Sequence, residues 1–182
     1  MTLFSAVAVA VALVLFVLLG YVVSLYNRLV LLRNGVENAL GSVDVQLKLR
    51  CDLIPKVVDA MRAYMGHEKD TLGQLTMLRE QAQAPGTPTD RRMALDRQMS
   101  GVLRGLIVRA EAYPELKASE TVTVLQRSLN EVESQIAAAR RTFNAAATAF
   151  NTAAEVFPAN LLAGPLGFSR RGLFEAAAEE RA

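Results

Sequence analysis

Apolar residues fill positions 3–25 with almost no interruption, and the first charged side chain of the chain is Arg28. An α-helix rises about 1.5 Å per residue and the hydrocarbon core of a bilayer is about 30 Å thick, so about 20 apolar residues span it. The segment is therefore predicted to be a transmembrane helix that anchors the chain. Leu3, Phe16 and Leu25 mark the start, the middle and the end of this predicted anchor.

A cleaved signal peptide is the alternative interpretation of this segment. Such a peptide has a positively charged start, a shorter apolar stretch and a small-residue cleavage site. The chain begins Met-Thr-Leu with no Lys or Arg, and its apolar stretch is longer than that of an ordinary signal peptide. We therefore expect a retained anchor.

Beyond the anchor, apolar residues recur every three or four positions, which is the spacing of one face of an α-helix. The first such stripe consists of Leu29, Leu32, Val36, Ala39, Val43, Leu47, Cys51, Ile54, Val58, Met61 and Met65. It passes Pro55 without a change of phase, although a proline inside a helix removes a hydrogen bond and bends the helix. Alternatively, Pro55 lies in the first turn of a new helix that Asp52 caps. Because the phase is kept, we expect one kinked helix that runs to about Gln83.

Residues 84–90 contain two prolines, a glycine and potential capping residues, and they form the clearest break in the chain. A second helix is predicted to begin there, capped by Thr87 or Thr89, and to end at Tyr113 and Pro114. The residues expected to face inward are Met99, Val102, Leu106 and Ala110.

Ser119 is placed to cap the last helix, whose apolar residues keep a heptad-like spacing. They are Val122, Leu125, Leu129, Val132, Ile136, Ala139, Phe143, Ala146, Phe150, Ala153 and Phe157. This spacing is typical of antiparallel bundles and coiled coils, and no strand pattern occurs outside the anchor. The sequence therefore predicts an all-α fold in which a transmembrane helix continues into an antiparallel bundle of three to four long helices.

The chain changes character at Phe157 and Pro158, after which proline and glycine interrupt the apolar residues. We expect a hook or short helix with the apolar residues Leu161, Leu162, Leu166, Phe168, Leu173 and Phe174. Because exposed apolar patches of this size are unusual, the hook either covers the open end of the bundle or contacts lipid or a neighbouring subunit. The expected divisions are an anchor at 3–25, a bundle at 26–157 and a hook and tail at 158–182.

Charge is nearly balanced, with 20 basic and 18 acidic side chains, which makes nucleic acid an unexpected partner. The lipid bilayer is the expected partner because of the predicted anchor. Arg28, Arg33, Lys48 and Arg50 follow the anchor, and no Lys or Arg precedes it. The positive-inside rule therefore places the N-terminus outside the inner (cytoplasmic) membrane and the C-terminal domain in the cytoplasm. The single Cys51 agrees, because one cysteine cannot form an intramolecular disulfide.

Several blocks of the sequence resemble the LemA family, in the order that the family has them. The most specific are Asp-Val-Gln-Leu-Lys at 44–48 and Asp-Leu-Ile-Pro at 52–55. Other matching blocks lie at 26–34, 64–68, 113–118, 131–141, 143–144, 150–151, 157–158, 167–168 and 174–175. Cys51 and Phe143 stand where that family usually has Tyr, and its usual short Pro- and Val-containing end does not follow Ala182. The resemblance implies a bacterial, single-span, membrane-anchored helix bundle without a settled activity; some branches of the family are associated with organising internal membranes.

Candidate chemistry is sparse. His67 is the only histidine, and His67 with Glu68 lacks the second histidine of a zinc-protease helix. No Ser-His-Asp or Cys-His arrangement, glycine-rich phosphate loop or acidic cluster is recognisable. We therefore predict no enzyme, no catalytic residue, no metal and no cofactor, and we interpret His67 as a hydrogen-bonding residue on a helix surface or between helices.

The remaining polar candidates are predicted to set the register of the helices. They are Asp44, Arg50, Asp52, Pro55, His67, Arg140, Asn144 and Asn151. The preferred interpretation is an interhelical network of ion pairs and amides, and the alternative is a docking surface for a partner. Asn144 and Asn151 each follow a core Phe and lie a heptad apart, so they project from the same edge of the last helix.

These features favour a membrane-tethered helical bundle that forms a homo-oligomer and organises membrane or partner proteins. The alternative is a monomeric adaptor that presents a helix face to another membrane protein. A hydrolase that acts at the membrane is a third class, for which the sequence offers no motif.

Overall fold

The computed structural model describes residues 2–62, 64–65 and 68–174. The prediction of an all-α fold is confirmed, since these residues form helices and no strand. The helices are α1 (Thr2–Arg62), α2 (Lys69–Gln83), α3 (Thr89–Ala110), α4 (Pro114–Lys117), α5 (Glu120–Glu155) and α6 (Ala159–Ala163).

Helix α1 contains the predicted anchor. Every residue from 4 to 21 is exposed, including Phe16, whereas Leu25 is half-buried; Leu3 lies in the first turns of the same helix. Within the described chain, α1 is the one helix that is long and apolar enough to cross a membrane. By length and composition, therefore, its N-terminal part meets the requirement for a transmembrane span.

The prediction of one helix to about Gln83 is wrong. Helix α1 ends at Arg62 and α2 begins at Lys69. Pro55 lies inside α1, so it does not begin a separate helix. Burial nevertheless continues across the break, with Met65 and Leu72 both in the core. An apolar period reports which residues are buried and not whether the backbone is continuous, which explains the error.

The chain packs as two compact units. We call Gly41–Arg140 the core unit and the described part of Met1–Leu40 with Arg141–Ala182 the anchor unit. Helices α1 and α5 each contribute to both units, because each unit boundary falls inside one of these helices.

In the core unit, the apolar faces of α1, α2, α3 and α5 bury one another. The largest fully buried apolar side chains are Ile54, Met65, Leu75, Leu95, Met99, Leu106 and Leu116. Of the residues predicted to face inward from α3, Met99, Leu106 and Ala110 are buried and Val102 is half-buried. The face of α3 was thus predicted correctly.

The predicted helix caps have mixed outcomes. Neither Thr87 nor Thr89 caps α3, whose N-cap residue is Pro88. The Thr87 hydroxyl instead donates to the Ala84 carbonyl at 2.8 Å. Ser119 does cap α5, where its Oγ accepts from the Val122 amide at 3.5 Å. At the other end, α5 stops at Glu155 and the predicted core residue Phe157 is exposed, because the residue before a proline is disfavoured in a helix.

The anchor unit consists of the first part of α1, the last part of α5, α6 and the tail that follows. Its buried core includes Leu29, Val36, Phe143, Phe150 and Phe168. The tail reaches Phe168 through Gly167, whose φ of 76° lies in the left-handed region that glycine tolerates best. This turn directs the tail back onto α1 and α5.

Candidate functional site

Arg50 is the central polar residue of the core unit. Arg50 lies on α1, and the residue is 1% exposed. Nη1 donates to Asp96 Oδ1 of α3 at 3.0 Å and also to the Ser100 hydroxyl, and Nη2 donates to the Glu133 carboxylate of α5. One guanidinium therefore joins three helices. The group suits this role because it is planar and has five hydrogen-bond donors.

Asp96 is a buried acid with an unusual proton affinity. Burial raises the pKa of the Asp96 carboxyl to about 6, although the Arg50 guanidinium lowers it. The Glu133 carboxylate adds to the rise, and the Arg140 charge opposes it. Desolvation exceeds the attraction because the low-dielectric interior disfavours the charged acid. Asp96 therefore gains or loses its proton in mildly acidic solution.

A cleft of about 510 Å³ lies beside this network. It is lined from α1, α2 and α3 by residues that include Asp44, Lys48, Cys51, Arg92 and Asp96. Burial also raises the pKa of the Cys51 thiol, which disfavours the reactive thiolate.

Two further candidate acids contact neighbouring helices. Asp44 accepts from the Thr89 hydroxyl at 3.1 Å and from Arg92 Nη1 at 3.3 Å. Asp52 accepts from Gln83 Nε2 at 3.4 Å in an exposed contact. Both acids therefore connect α1 to the ends of α2 and α3 that flank residues 84–88.

Pro55 leaves a carbonyl of α1 free for use by α2. In a helix, the amide of residue 55 would donate to the carbonyl of Cys51, but proline has no amide hydrogen. Arg79 Nε of α2 donates to this carbonyl at 3.0 Å instead. The proline thereby provides an acceptor through which α2 attaches to α1, a role that the sequence did not reveal.

Asn144 and Asn151 hold the tail in the anchor unit. Asn144 Nδ2 donates to the Phe174 carbonyl at 2.8 Å, and its Oδ1 accepts from the Phe174 amide at 2.9 Å. Asn151 binds Arg171 in the same way, at 2.9 Å and 2.8 Å. Each asparagine side chain therefore binds both the amide and the carbonyl of one tail residue, and these two tail residues are three positions apart. We call Asn144 and Asn151 the asparagine clamp.

Aromatic rings flank the asparagine clamp. Phe168 packs against Tyr26 and Phe150, with ring centroids 5.7 Å and 6.3 Å away, and the Arg33 guanidinium lies 5.5 Å from its ring centroid. Phe174 packs on Phe143 at 4.6 Å. A cation over a ring and three ring pairs add to the burial of the tail.

The structure distributes the sequence candidates over both units. Arg50, Asp44, Asp52 and Pro55 lie in the core unit with the partners given above, and Arg140 interacts with neighbouring groups. His67 lies outside the described residues, so its predicted role stays a prediction. Of the tail candidates, Phe168 is buried, Leu162 and Phe174 are half-buried, and Leu161 and Leu166 are exposed.

Sequence reasoning did not single out Asp96, Ser100, Glu133 or Arg79. A signal for Asp96 was present, since it lies three residues before Met99 on the apolar face of α3. A charged residue on such a face must be paired if it is buried. Glu133 and Arg79 lie on partly exposed surfaces and carry no comparable signal.

The fold and these contacts define a class: an all-helical protein with one long apolar N-terminal helix and a C-terminal tail fastened to its helices by main-chain contacts. The chain belongs to the LemA family, whose family model matches residues 39–182. It is similar to Protein LemA of Metamycoplasma hominis, with 27% identity over 155 residues that cover 85% of this chain and 71% of that protein.

The chain is also similar to two proteins of Paramagnetospirillum magneticum, Magnetosome protein MamQ 1 and Magnetosome protein MamQ 2. Each is 32% identical over 83 residues, which cover 46% of this chain and 30% of the relative. The shared part thus represents less than a third of either MamQ protein.

Proposed function

We propose that this chain is a non-enzymatic protein that is anchored in a membrane, self-associates there and organises the membrane or partner proteins. The observation that carries the proposal is the 61-residue helix α1, whose exposed apolar segment continues without a break into buried faces of the folded units. A chain built in this way keeps its folded part at a membrane surface.

The contacts of the polar residues support a structural role. Arg50 and Asp96 are used to join helices, and Asn144 and Asn151 are used to hold the tail. Buried polar groups of this kind specify register and partner choice in helical proteins. The relatives are named for the LemA family and for the magnetosome, and neither name includes a reaction.

Confinement to a membrane supports the proposed self-association. Chains tethered in one plane meet at a high effective concentration, so modest contacts are enough to hold copies together. Val45 and Leu49, one turn apart on α1, are both exposed and offer an apolar face for such a contact. The alternative is a monomeric adaptor that presents a helix face to another membrane protein.

The proposed location is the inner membrane, crossed once, with the N-terminus outside and the folded part in the cytoplasm. Arg28 and Arg33, which follow the apolar segment, support this orientation.

The mass of the protein in mild detergent tests self-association. We expect light scattering after size exclusion to give a protein mass of at least twice the 19.7 kDa of one chain. The mass should persist when the sample is diluted at constant detergent, and crosslinking in membranes before extraction should give the same oligomer. A monomer at all protein concentrations would favour the adaptor.

A further inference from the structure

The chain turns sharply between α5 and α6, and apolar side chains project from this turn into solvent. Phe157 is 75% exposed, Leu161 is 64% exposed and Val156 is 55% exposed. We call these three residues the α5–α6 corner. Isolated exposed apolar residues are ordinary, but a group of large ones within six positions indicates a contact surface.

The α5–α6 corner lies beside the end of the apolar segment of α1. A cleft of about 430 Å³ in the anchor unit is lined on one side by Tyr21, Leu25 and Arg28, and on the other by residues that include Val156 and Phe157. Tyr21 and Leu25 are the last turns of the predicted span at 3–25. The corner is therefore at the level where α1 would leave the bilayer.

The side chains around the corner change from apolar to charged over a short distance, as the boundary of a bilayer does. Tyr21 is exposed at this level, and aromatic residues with a polar end favour the interface between lipid and water. Arg28 is exposed in the same cleft and can bind a phosphate. Glu155, the acid next to the corner, is paired with Arg170 at 3.6 Å.

We infer that the α5–α6 corner is a second membrane contact, in which Phe157 and Leu161 enter the surface of the bilayer and the adjoining cleft binds phospholipid. The lipid phosphate lies at Arg28, and the carbonyl end of an acyl chain lies against Leu25 and Phe157. The inference rests on the proposal that α1 spans a bilayer. It adds that the folded anchor unit itself is seated on the membrane, so that α5 is held at the surface as well as α1.

Tryptophan fluorescence tests the inference, because the chain contains no Trp. Four single-Trp variants are reconstituted into vesicles of phosphatidylglycerol and phosphatidylcholine: Phe157→Trp, Leu161→Trp, Phe16→Trp and Val108→Trp. Phe16 reports on the span, and Val108, which is 67% exposed on α3, is the matched control in the core unit. The quenchers are phosphatidylcholine brominated near the carbonyl end of its acyl chains, and iodide present on both sides of the membrane.

We expect brominated lipid to quench the Trp at 157 and at 161 strongly and iodide to quench both several-fold less than the Trp at 108. The Trp at 108 should respond to iodide alone. Moving the bromines toward the methyl end should weaken quenching at 157 and strengthen it at 16.

Each other outcome overturns a defined claim. If the Trp at 16 is quenched by brominated lipid but those at 157 and 161 respond only to iodide, the corner faces water and the inference is wrong, whereas the span stands. If neither quencher reaches 157 and 161, protein covers the corner and the inference is also wrong. If neither of the two brominated lipids quenches the Trp at 16, the proposed span fails and the inference fails with it.

Discussion

At the scale of single residues, the ion pair between Arg50 and Asp96 shows how burial and charge compete. The two groups are 3.0 Å apart and almost inaccessible to water. Attraction favours the ionised acid, and desolvation disfavours it. Because the pKa of Asp96 is raised to about 6, desolvation prevails, and ionisation of Asp96 at neutral pH lowers the stability of the folded chain.

This balance predicts a pH dependence that Asp96→Asn removes. The folded chain binds a proton at Asp96 more tightly than the unfolded chain, whose carboxyl has the ordinary pKa of 3.8. Asp96 therefore stabilises the fold below pH 4 and loses that contribution as the pH rises through 6. We expect the difference in free energy of unfolding, wild type minus Asp96→Asn, to fall by about 2 kcal/mol between pH 4 and pH 7.

Denaturant unfolding of the full chain in detergent, followed by helical circular dichroism, measures this difference. The exposed Asp90→Asn, in the first turn of the same helix, is the matched control. A difference between wild type and Asp96→Asn that stays constant across this pH range would contradict the prediction.

At the scale of elements, α2 attaches to α1 through a carbonyl that a proline leaves open. Pro55 lies in the interior of α1, where a proline is unfavourable by about 3 kcal/mol relative to alanine in an isolated helix. Arg79 of α2 binds the Cys51 carbonyl and thus offsets part of that loss. The Cys51 carbonyl, which Pro55 leaves without its helical donor in α1, thus accepts a hydrogen bond from α2.

A double-mutant cycle tests this match. We expect Pro55→Ala to keep α1 helical and to leave stability similar or higher, since residue 55 regains its amide. Arg79→Met should destabilise wild type by about 1 to 3 kcal/mol, because the Cys51 carbonyl loses its donor. In the Pro55→Ala background the loss should be smaller by about 1 kcal/mol.

The matched control for the cycle is the exposed Arg97→Met on α3, whose effect should be the same with Pro55 or Ala at position 55. Equal effects of Arg79→Met in both backgrounds would show that Pro55 and Arg79 act independently.

The same elements show what a sequence can predict. The stripes of α1 and α5 identified most of the buried apolar residues of these two helices, because burial of one face repeats at the helical period. The end of α1 at Arg62 was missed, since a lone Gly66 is a weak signal and the residues after it continue the same period. The partners of Arg50 could not be predicted, because Asp96 and Glu133 are 46 and 83 positions away in the chain.

At the scale of the whole molecule, the apolar segment of α1 and the charges that follow it are the basis of the orientation proposed above. A cysteine placed at exposed Ser169 tests the proposed orientation. We expect a maleimide that cannot cross membranes to leave Ser169→Cys unlabelled in intact cells and to label it once the membrane is opened. The native Cys51 is buried and contributes little to the signal.

Thr2→Cys, on the other side of the apolar segment, is the paired control and should be labelled in intact cells. Labelling of Ser169→Cys in cells shown to be sealed would reverse the orientation.

The asparagine clamp binds the tail by its main chain, at Arg171 and Phe174, while Phe168 occupies its own place against Tyr26 and Phe150. Main-chain groups are the same in every amino acid except proline. The asparagine clamp therefore depends on the spacing of residues along the tail and not on the side chains at Arg171 and Phe174. Deleting one residue between 168 and 174 would prevent the Phe168 ring and the main-chain groups of the tail from reaching their partners at the same time. Exchanging the exposed side chains at 169 and 170 would leave the spacing, and with it the main-chain attachment, unchanged.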